Sequence, residues 1–549
     1  MKKMKKLIAL LLAASMVGAM GACSGGNQGT TDNSSSTTEE GNTDSTESSV
    51  APIETNDEGL EPQDGGVLVI AQSSSPAKLD PVDYTGTYEG NIIDQVCDTL
   101  VDMSQDGEII PSLATEWTVS DDGLCYTFTL RDDVYFHPGE YQDGRKMVAD
   151  DVKYSLERSN ELSANSRIKI DHCEVVDDTT VKVYLPAPSS TFLTTLTDSG
   201  NSIVPQEEVE GWGDQFGAHL VGTGPFMMKE FSLDEKCELV RNDKYWVAKP
   251  HLDGVTFTVV TEAEQTLNGL QAGDIDMAAL SGESIKLARE DENLTVLEME
   301  ALQFSYIYFN MVNGPTADKE VRKALIMGVN RQDLCDATYP YDSATVADLP
   351  LPPGSWAYDE SLEDLVPDYD PEGAKQVLAD AGYADGLELD FYTSDSKSSM
   401  DMATVAQAEW QQIGVNINIQ TSEWGTFSEY CANGQCDIFA MSWTWYSDPY
   451  FYLNYLFHSS HIGSQGNGQG FNVPEVDELL DQAEQEPDQD TRAELYQEAI
   501  KKIVAEYPQV DYANRKNITG VTSRVHGFKM STDNAFDICS TEANVWIAE

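Results

Sequence analysis

The chain has 549 residues, of which 94 are acidic and 33 are basic, so its formal net charge is −61 at pH 7. A surface this negative excludes nucleic acid as a partner, because phosphate binding needs clustered positive charge. At ~100–200 residues per domain, the length predicts more than one domain or lobe.

The first 23 residues have the features of an export signal. Four lysines lie within the first six residues, and residues 7–17 form an apolar run. That run is shorter than the ~20 residues of a membrane span. Small residues then precede Cys23 in an order that resembles the lipobox of bacterial lipoproteins. The resemblance implies that Cys23 becomes a lipidated N-terminus; an ordinary secretion signal with an unrelated cysteine is the alternative.

Residues 24–64 are predicted to be a disordered acidic Ser/Thr linker. They contain ten acidic residues, no Lys or Arg, and almost nothing apolar. Such a segment buries too little surface to offset the entropy of the chain. We expect it to tether a globular body to the outer face of a membrane.

The predicted body begins at Gly65, and its first element is a buried strand over residues 67–71. This strand is ended by Ser73, Ser74 and Ser75. A helix and a turn are predicted over residues 92–113.

The stretch from residue 114 to 158 predicts an α+β module. Tyr126, Phe128 and Leu130 alternate with small polar residues, the period-2 pattern of a half-buried strand. A helix opens near Asp150, where negative charge suits the amide-rich N-terminus.

In the order of its residues, this stretch resembles the signature of the family 5 extracellular solute-binding proteins, the oligopeptide-, dipeptide- and nickel-binding group of ABC importers. One departure is His137-Pro138-Gly139, where the family usually has His-Asp-Gly. Similar landmarks follow along the chain, so the resemblance spans residues 65–549. The matching signature residues are Trp117, Ser120, Asp122, Gly123, Tyr126, Phe128, Leu130, Arg131, Val134, Phe136, His137, Asp151, Val152, Ser155 and Arg158.

The resemblance implies an α/β, two-lobed periplasmic-binding-protein-like fold, of class II and the large type, with lobes joined by two crossings. Within the second lobe, predicted strands alternate with helices, as expected of a parallel sheet. The predicted segments are 65–99, 211–301 and 511–549 for lobe I, 100–210 for an extra α+β subdomain of lobe I, and 302–510 for lobe II.

The candidate ligand contacts lie at the ends of predicted strands. The resemblance places Ser73, Ser74 and Ser75 at the border of the cleft. In lobe II, Tyr306 and Asn310 share one face of the first predicted strand. Trp424 is a further candidate in the same lobe.

An aromatic segment supplies the remaining candidates. Eight of the fifteen residues from Trp443 are aromatic, and the resemblance implies that they wall the cleft. Peptide-binding members usually have an Asp three residues before an Asp-Pro pair, where it holds the ligand's α-ammonium; Trp445 occupies that place here. Either Asp448 substitutes for this acid, or the ligand has no free amine there. Trp443, Trp445 and Tyr446 suit stacking on a sugar, a flat heteroaromatic group or a cation.

No cofactor or metal site is predicted. Eight cysteines follow Cys23, and their spacing matches no zinc template. Cys431 and Cys436 flank a tight-turn sequence, so a local disulfide is an open alternative to two free thiols. Nickel and haem lack placed ligands.

The predicted function is capture of a solute between the lobes and its delivery to the permease of an ABC importer. An oligopeptide or dipeptide is the first ligand class; an oligosaccharide, an opine or another non-peptide solute is the alternative. A surface sensory or adhesion protein on the same scaffold is a second alternative. Hydrolase motifs such as Gly-x-Ser-x-Gly and His-Glu-x-x-His are absent, so no enzymatic activity is predicted. We expect a monomer, lipid-anchored on the outer face of the cytoplasmic membrane and extracellular in a Gram-positive type of cell.

Overall fold

The computed structural model describes residues 53–57, 59–104, 107–163, 168–531 and 536–548. The predicted signal, the lipidation site at Cys23 and the linker up to residue 52 lie outside the described residues. In the part of the chain that is described, no helix is both long and apolar enough to cross a membrane.

The described chain contains strands β1–β19 and helices α1–α14. The strands are β1 (Val67–Gln72), β2 (Val101–Met103), β3 (Ile109–Pro111), β4 (Ala114–Val119), β5 (Cys125–Leu130), β6 (His172–Asp177), β7 (Thr180–Tyr184), β8 (Phe226–Ser232), β9 (Lys236–Arg241), β10 (Gly254–Val259), β11 (Met277–Ala279), β12 (Leu294–Phe309), β13 (Ala344–Thr345), β14 (Leu387–Ser394), β15 (Val415–Ser422), β16 (Ile438–Thr444), β17 (Gln509–Thr522), β18 (Val525–His526) and β19 (Trp546–Ile547). The α-helices are α1 (Thr87–Val96), α2 (Ala149–Leu162), α3 (Phe192–Leu196), α4 (Gln206–Trp212), α5 (Ala263–Ala272), α6 (Glu283–Arg289), α7 (Lys319–Met327), α8 (Arg331–Thr338), α9 (Pro371–Leu378), α10 (Lys397–Gln412), α11 (Trp424–Ala432), α12 (Tyr450–Phe457), α13 (Pro474–Gln485) and α14 (Gln489–Ala505). Short 3-10 turns lie at Pro81–Asp83, Ser199–Asn201, Gly213–His219, Pro315–Ala317, Glu360–Leu365 and Ser459–His461, and a π turn lies at Ala379–Tyr383.

One large mixed sheet runs through the molecule in the order β15-β14-β16-β12-β17-β11-β1-β10-β9-β8, with β13 added to β17. The strands β1, β10 and β11 are parallel in one half, and β14, β15 and β16 are parallel in the other. Each half has its own helices and its own hydrophobic core, so the sheet belongs to two lobes.

The two central strands, β12 and β17, join the lobes. They pair antiparallel from Leu294 opposite Thr522 to Tyr308 opposite Gln509. Their register is interrupted midway, where residues 301–303 of β12 form a bulge opposite a single residue of β17. A bulge bends the strand that carries it, and this one marks the boundary between the lobes.

The signature stretch forms the core of the extra subdomain. The strands β4, β5, β7 and β6 make a four-stranded antiparallel sheet in that order, and α2 packs on it. The alternation in β5 buries Tyr126, Phe128 and Leu130. Arg158 in α2 donates to both oxygens of Asp80, at 2.8 and 2.6 Å. This bidentate ion pair fastens the subdomain to lobe I.

Residues that precede the predicted start of the body contact lobe I. Thr55 N donates to Phe528 O at 2.9 Å, and the Asp57 carboxylate accepts from Gly527 N at 2.7 Å. Contrary to the predicted linker boundary at residue 64, residues 53–57 therefore pack on lobe I.

Candidate ligand-binding cleft

A cavity of about 550 Å³ lies between the lobes, beside the bulge in β12. Lobe I contributes the loop before α1, and the subdomain contributes the turn before Ser199–Asn201. Lobe II contributes the turn after β16. Among the residues that line the cavity are Tyr84, Asn91, Asp94, Asp198, Gln303, Trp445, Tyr446 and Arg515.

Asp198 connects three of the cavity's walls. Its Oδ1 accepts from Gly200 N at 2.8 Å and so caps the following turn. Its Oδ2 accepts from the phenol of Tyr84 in lobe I at 2.8 Å and from the phenol of Tyr446 in lobe II. Hydrogen bonds to a carboxylate are stronger than neutral ones. Asp198 is thus a carboxyl group at the cavity that both lobes contact.

Trp445 and Tyr446 line the cavity. Hydrogen bonds and aromatic contacts from lobe II hold the turn after β16, which carries both residues. Trp445 N donates to the phenol oxygen of Tyr452, and that phenol donates to Leu302 O in the bulge at 2.8 Å. Phe451 supports both aromatic rings, stacked 6.2 Å from Trp445 and edge-on 4.8 Å from Tyr446. These two predicted contacts are brought to the cavity.

Asp448 points away from the cavity into lobe II. Its carboxylate lies 2.9 and 3.0 Å from Arg492 Nη2, and both side chains are buried. Burial raises the pKa of Asp448, while Arg492 opposes that shift. This geometry does not support the expectation that Asp448 substitutes for the missing amine-binding acid, because its charge is already paired inside the protein.

Tyr306 and Asn310 are also internal. Tyr306 is 1% exposed and stacks on Phe304 in the core of lobe II. Burial raises the pKa of its phenol. The Asn310 side chain donates to the backbone oxygens of Gly434 and Cys436 at 2.9 and 3.1 Å. Neither residue lines the cavity, and Asn310 lies one residue beyond the end of β12.

The remaining predicted contacts do not line the cavity. Trp443 Nε1 donates to Phe451 O at 2.8 Å, so the indole supports the aromatic turn. Trp424 is 56% exposed at the start of α11. Ser73 hydrogen-bonds to Tyr88, Ser74 is exposed, and Ser75 Oγ accepts from the backbone at residue 234. A ligand contact by any of these residues stays a prediction.

Sequence reasoning missed Tyr84, Asp198, Gln303 and Arg515. Arg515 had a usable signal, because it begins a basic pair inside a strand that is otherwise uncharged for several residues. The sequence signal for Asp198 was weak, since an Asp before Ser-Gly indicates a capped turn and does not indicate a ligand contact.

Cys431 and Cys436 are both buried free thiols, so the structure contains no disulfide between them. Burial raises the pKa of each thiol, to about 12 and about 11. Such thiols behave as small apolar groups.

Two lobes, two crossing strands and a charged aromatic cavity between them define an α/β solute-binding protein of the periplasmic type. The chain belongs to the bacterial extracellular solute-binding proteins, family 5, whose middle region matches residues 108–464. The family and the two-lobed fold predicted from the signature stretch are confirmed.

Known proteins similar to this chain differ in what they are described as binding. Heme-binding protein A of Haemophilus influenzae is 30% identical over 84% of this chain and 90% of its own length. The dipeptide-binding protein of Escherichia coli is 27% identical over 84% of this chain and 91% of its own. Among solved structures, HbpA2 from Haemophilus parasuis is 27% identical with a TM-score of 0.81, covering 88% of this chain and 100% of that one. DppA from Helicobacter pylori, in complex with the peptide STSA, is 27% identical with a TM-score of 0.72, covering 89% of this chain and 99% of that one.

Proposed function

We propose that this protein is the lipid-anchored substrate-binding component of an ABC importer, and that its solute is a short peptide released unchanged to the permease. Family membership supports the binding role. Relatives described as dipeptide-binding and di/tripeptide-binding proteins, 27–30% identical to this chain, support the peptide class.

The observation that carries the peptide assignment is the carboxylate of Asp198 at the cavity. Trp445 occupies the place where peptide-binding members have their amine-binding acid, so a peptide amine needs a carboxylate from another part of the chain. Asp198 is bonded to Tyr446, the residue next to that place. An ammonium group bound there would contact lobe I and lie beside lobe II at once.

Contact with both lobes is what a binding protein requires of its solute. A ligand stabilises the closed arrangement only through interactions that are stronger there than in the open one. Because Asp198 already accepts a hydrogen bond from each lobe, a cation bound to it would strengthen the closed arrangement. Closure would then present the loaded protein to the permease.

A non-peptide solute is the second candidate. The faces of Trp445 and Tyr446 at the cavity favour it, because aromatic rings stack on sugars and on flat heteroaromatic groups. Hemin belongs in the same comparison, since one relative is described as a heme-binding protein. A sensory or adhesion role would differ by leaving the cavity without any solute.

The test measures binding to the purified full-length chain by calorimetry. The probes are an equimolar library of unblocked dipeptides, the same library with acetylated N-termini, maltooligosaccharides and hemin. We expect the unblocked library to bind and acetylation to weaken binding at least ~10-fold, because one charge-assisted hydrogen bond contributes about 1.5–3 kcal/mol. Asp198→Asn should cause a similar loss, whereas the exposed control Asp214→Asn should not. Binding of sugars or hemin without any binding of dipeptides would contradict the peptide assignment.

The anchor has a separate test. Cys23→Ala should abolish incorporation of labelled palmitate and release the protein from the membrane fraction, since a linker with almost no apolar residues does not by itself hold a protein on a bilayer. If Cys23→Ala stays in the membrane fraction, the lipid anchor is wrong.

A further inference from the structure

Arg515 is an unusual residue in β17. Of the fourteen residues of this strand, it alone is exposed, and its neighbour Lys516 is intermediate. Arg515 lies opposite the bulge at residues 301–303, at the crossing between the lobes. Alternate residues of a strand face the same side, and Arg515 and Asn517 both line the inter-lobe cavity whereas Lys516 does not.

Arg515 and Lys516 differ in whether carboxylates neutralise their charges. Lys516 lies 3.1 Å from Asp342 and 3.7 Å from Glu298, so two carboxylates neutralise it. Arg515 Nη1 donates to the neutral amide oxygen of Gln303 at 3.1 Å. Among the residues that the structure describes, Arg515 forms no ion pair, although the chain has 94 acidic residues against 33 basic ones.

A guanidinium with this placement is suited to an anion. Its planar array of donors matches a carboxylate with two parallel hydrogen bonds. The Gln303 amide holds one edge of the guanidinium, which restricts its orientation before a ligand arrives. The same cavity contains the Asp198 carboxylate, so it offers one group for each end of a zwitterion.

We propose that Arg515, oriented by Gln303, is an anion site at the crossing of the lobes that binds the free carboxylate of the solute. The inference rests on the proposed function and narrows its substrate class to peptides with a free C-terminal carboxylate. A solute without that carboxylate is selected against, because it cannot form the charge-assisted hydrogen bonds that a carboxylate forms with the guanidinium.

The test compares an equimolar library of unblocked dipeptides with the same library as C-terminal amides, on the full-length chain. Losing a hydrogen bond to a charged group lowers affinity at least ~10-fold. We expect the amides to bind the wild-type protein at least ~10-fold more weakly than the acids. Arg515→Gln should lose at least ~10-fold for the acids and little for the amides, whereas Arg515→Lys should recover part of the loss. Lys516→Gln removes the same charge from the adjacent residue outside the cavity and should change affinity less than ~3-fold.

The outcomes separate the two proposals. If the unblocked dipeptides bind the wild-type protein and their amides bind equally well, the Arg515 site is wrong and the peptide function stands. Equal losses for acids and amides in Arg515→Gln would also overturn the site, because they would indicate a purely structural role for Arg515. If no dipeptide binds the wild-type protein, the proposed function itself fails and the narrower inference fails with it. The comparison of acids with amides on the wild-type protein does not depend on any variant folding.

Discussion

Replacing Arg492 by Met leaves a buried carboxylate without its partner. Arg492 Nη2 lies 2.9 Å from Asp448 Oδ2, and the two side chains are only 7% and 4% exposed. Breaking a buried ion pair on one side costs ~3–5 kcal/mol in free energy of unfolding. For a lobe of about 200 residues, each kcal/mol lowers the melting temperature by ~2–4 °C, so we expect a fall of ~6–20 °C.

The effect of Arg492→Met should depend on pH in a defined direction. Burial raises the pKa of Asp448 even with the guanidinium present, and removing the guanidinium raises it further. A carboxyl group with a higher pKa in the folded than in the unfolded state contributes stability at low pH, and this contribution is lost as pH rises through the folded pKa. The deficit should therefore be largest at pH 8 and shrink as the pH falls towards the unfolded pKa of ~4.

Scanning calorimetry at pH 8 and pH 4.5 measures both effects. Lys397→Met is the control, because its partner Asp401 forms an exposed (i, i+4) pair of at most ~0.5 kcal/mol. The double variant Arg492→Met with Asp448→Asn should recover much of the loss, since no uncompensated charge remains. A melting temperature for Arg492→Met at pH 8 within ~2 °C of the control would refute this reasoning.

Three further changes test other parts of the structure. Tyr446→Phe deletes the phenol that bridges the lobes, so dipeptide affinity should fall about 10-fold; an unchanged calorimetric Kd would contradict the bridge. Burial raises the pKa of Asp511 to about 8, so wild-type stability should fall as pH rises through that value. Asp511→Asn should remove this pH dependence of the free energy of unfolding, measured by urea unfolding between pH 6 and 9. A pH dependence that persists in the variant would contradict the role of Asp511. In Gly222→Ala the new Cβ would lie 2.3 Å from Val96 O, whereas at Gly86 it meets nothing within 4 Å. We expect the first substitution to cost ~1–3 kcal/mol in a urea melt and Gly86→Ala to be tolerated; equal midpoints would contradict the close approach.

The sequence by itself determined the family and the main elements of the signature stretch. The helix predicted within residues 92–113 instead ends at Val96, and the strands β2 and β3 follow it. The alternation of Tyr126, Phe128 and Leu130 predicted a half-buried strand, and all three are buried in β5. The predicted helix near Asp150 is α2. Signals of this kind are local, because they depend on the period of the hydrophobic residues and on turn chemistry over a few positions.

Alternation could not tell which face of a strand or turn meets the cavity. Tyr306 and Asn310, both predicted as ligand contacts, are buried inside lobe II. Tyr446 and Asp448 are two residues apart in one turn, yet the first lines the cavity and the second pairs with Arg492. A sequence pattern predicts which neighbouring side chains point to the same side of a strand. Only packing against the rest of the lobe decides whether that side faces the core or the cavity.

The charged groups of the cavity come from distant parts of the chain. Asp198 and Tyr446 are separated by 248 residues, and Gln303 and Arg515 by 212. Local sequence contains no information about such pairs, because each residue on its own is compatible with an ordinary turn or an exposed strand position. The tertiary structure decided which acid, which base and which aromatic side chains share one cavity, since the two crossing strands bring both lobes and the subdomain to the same place.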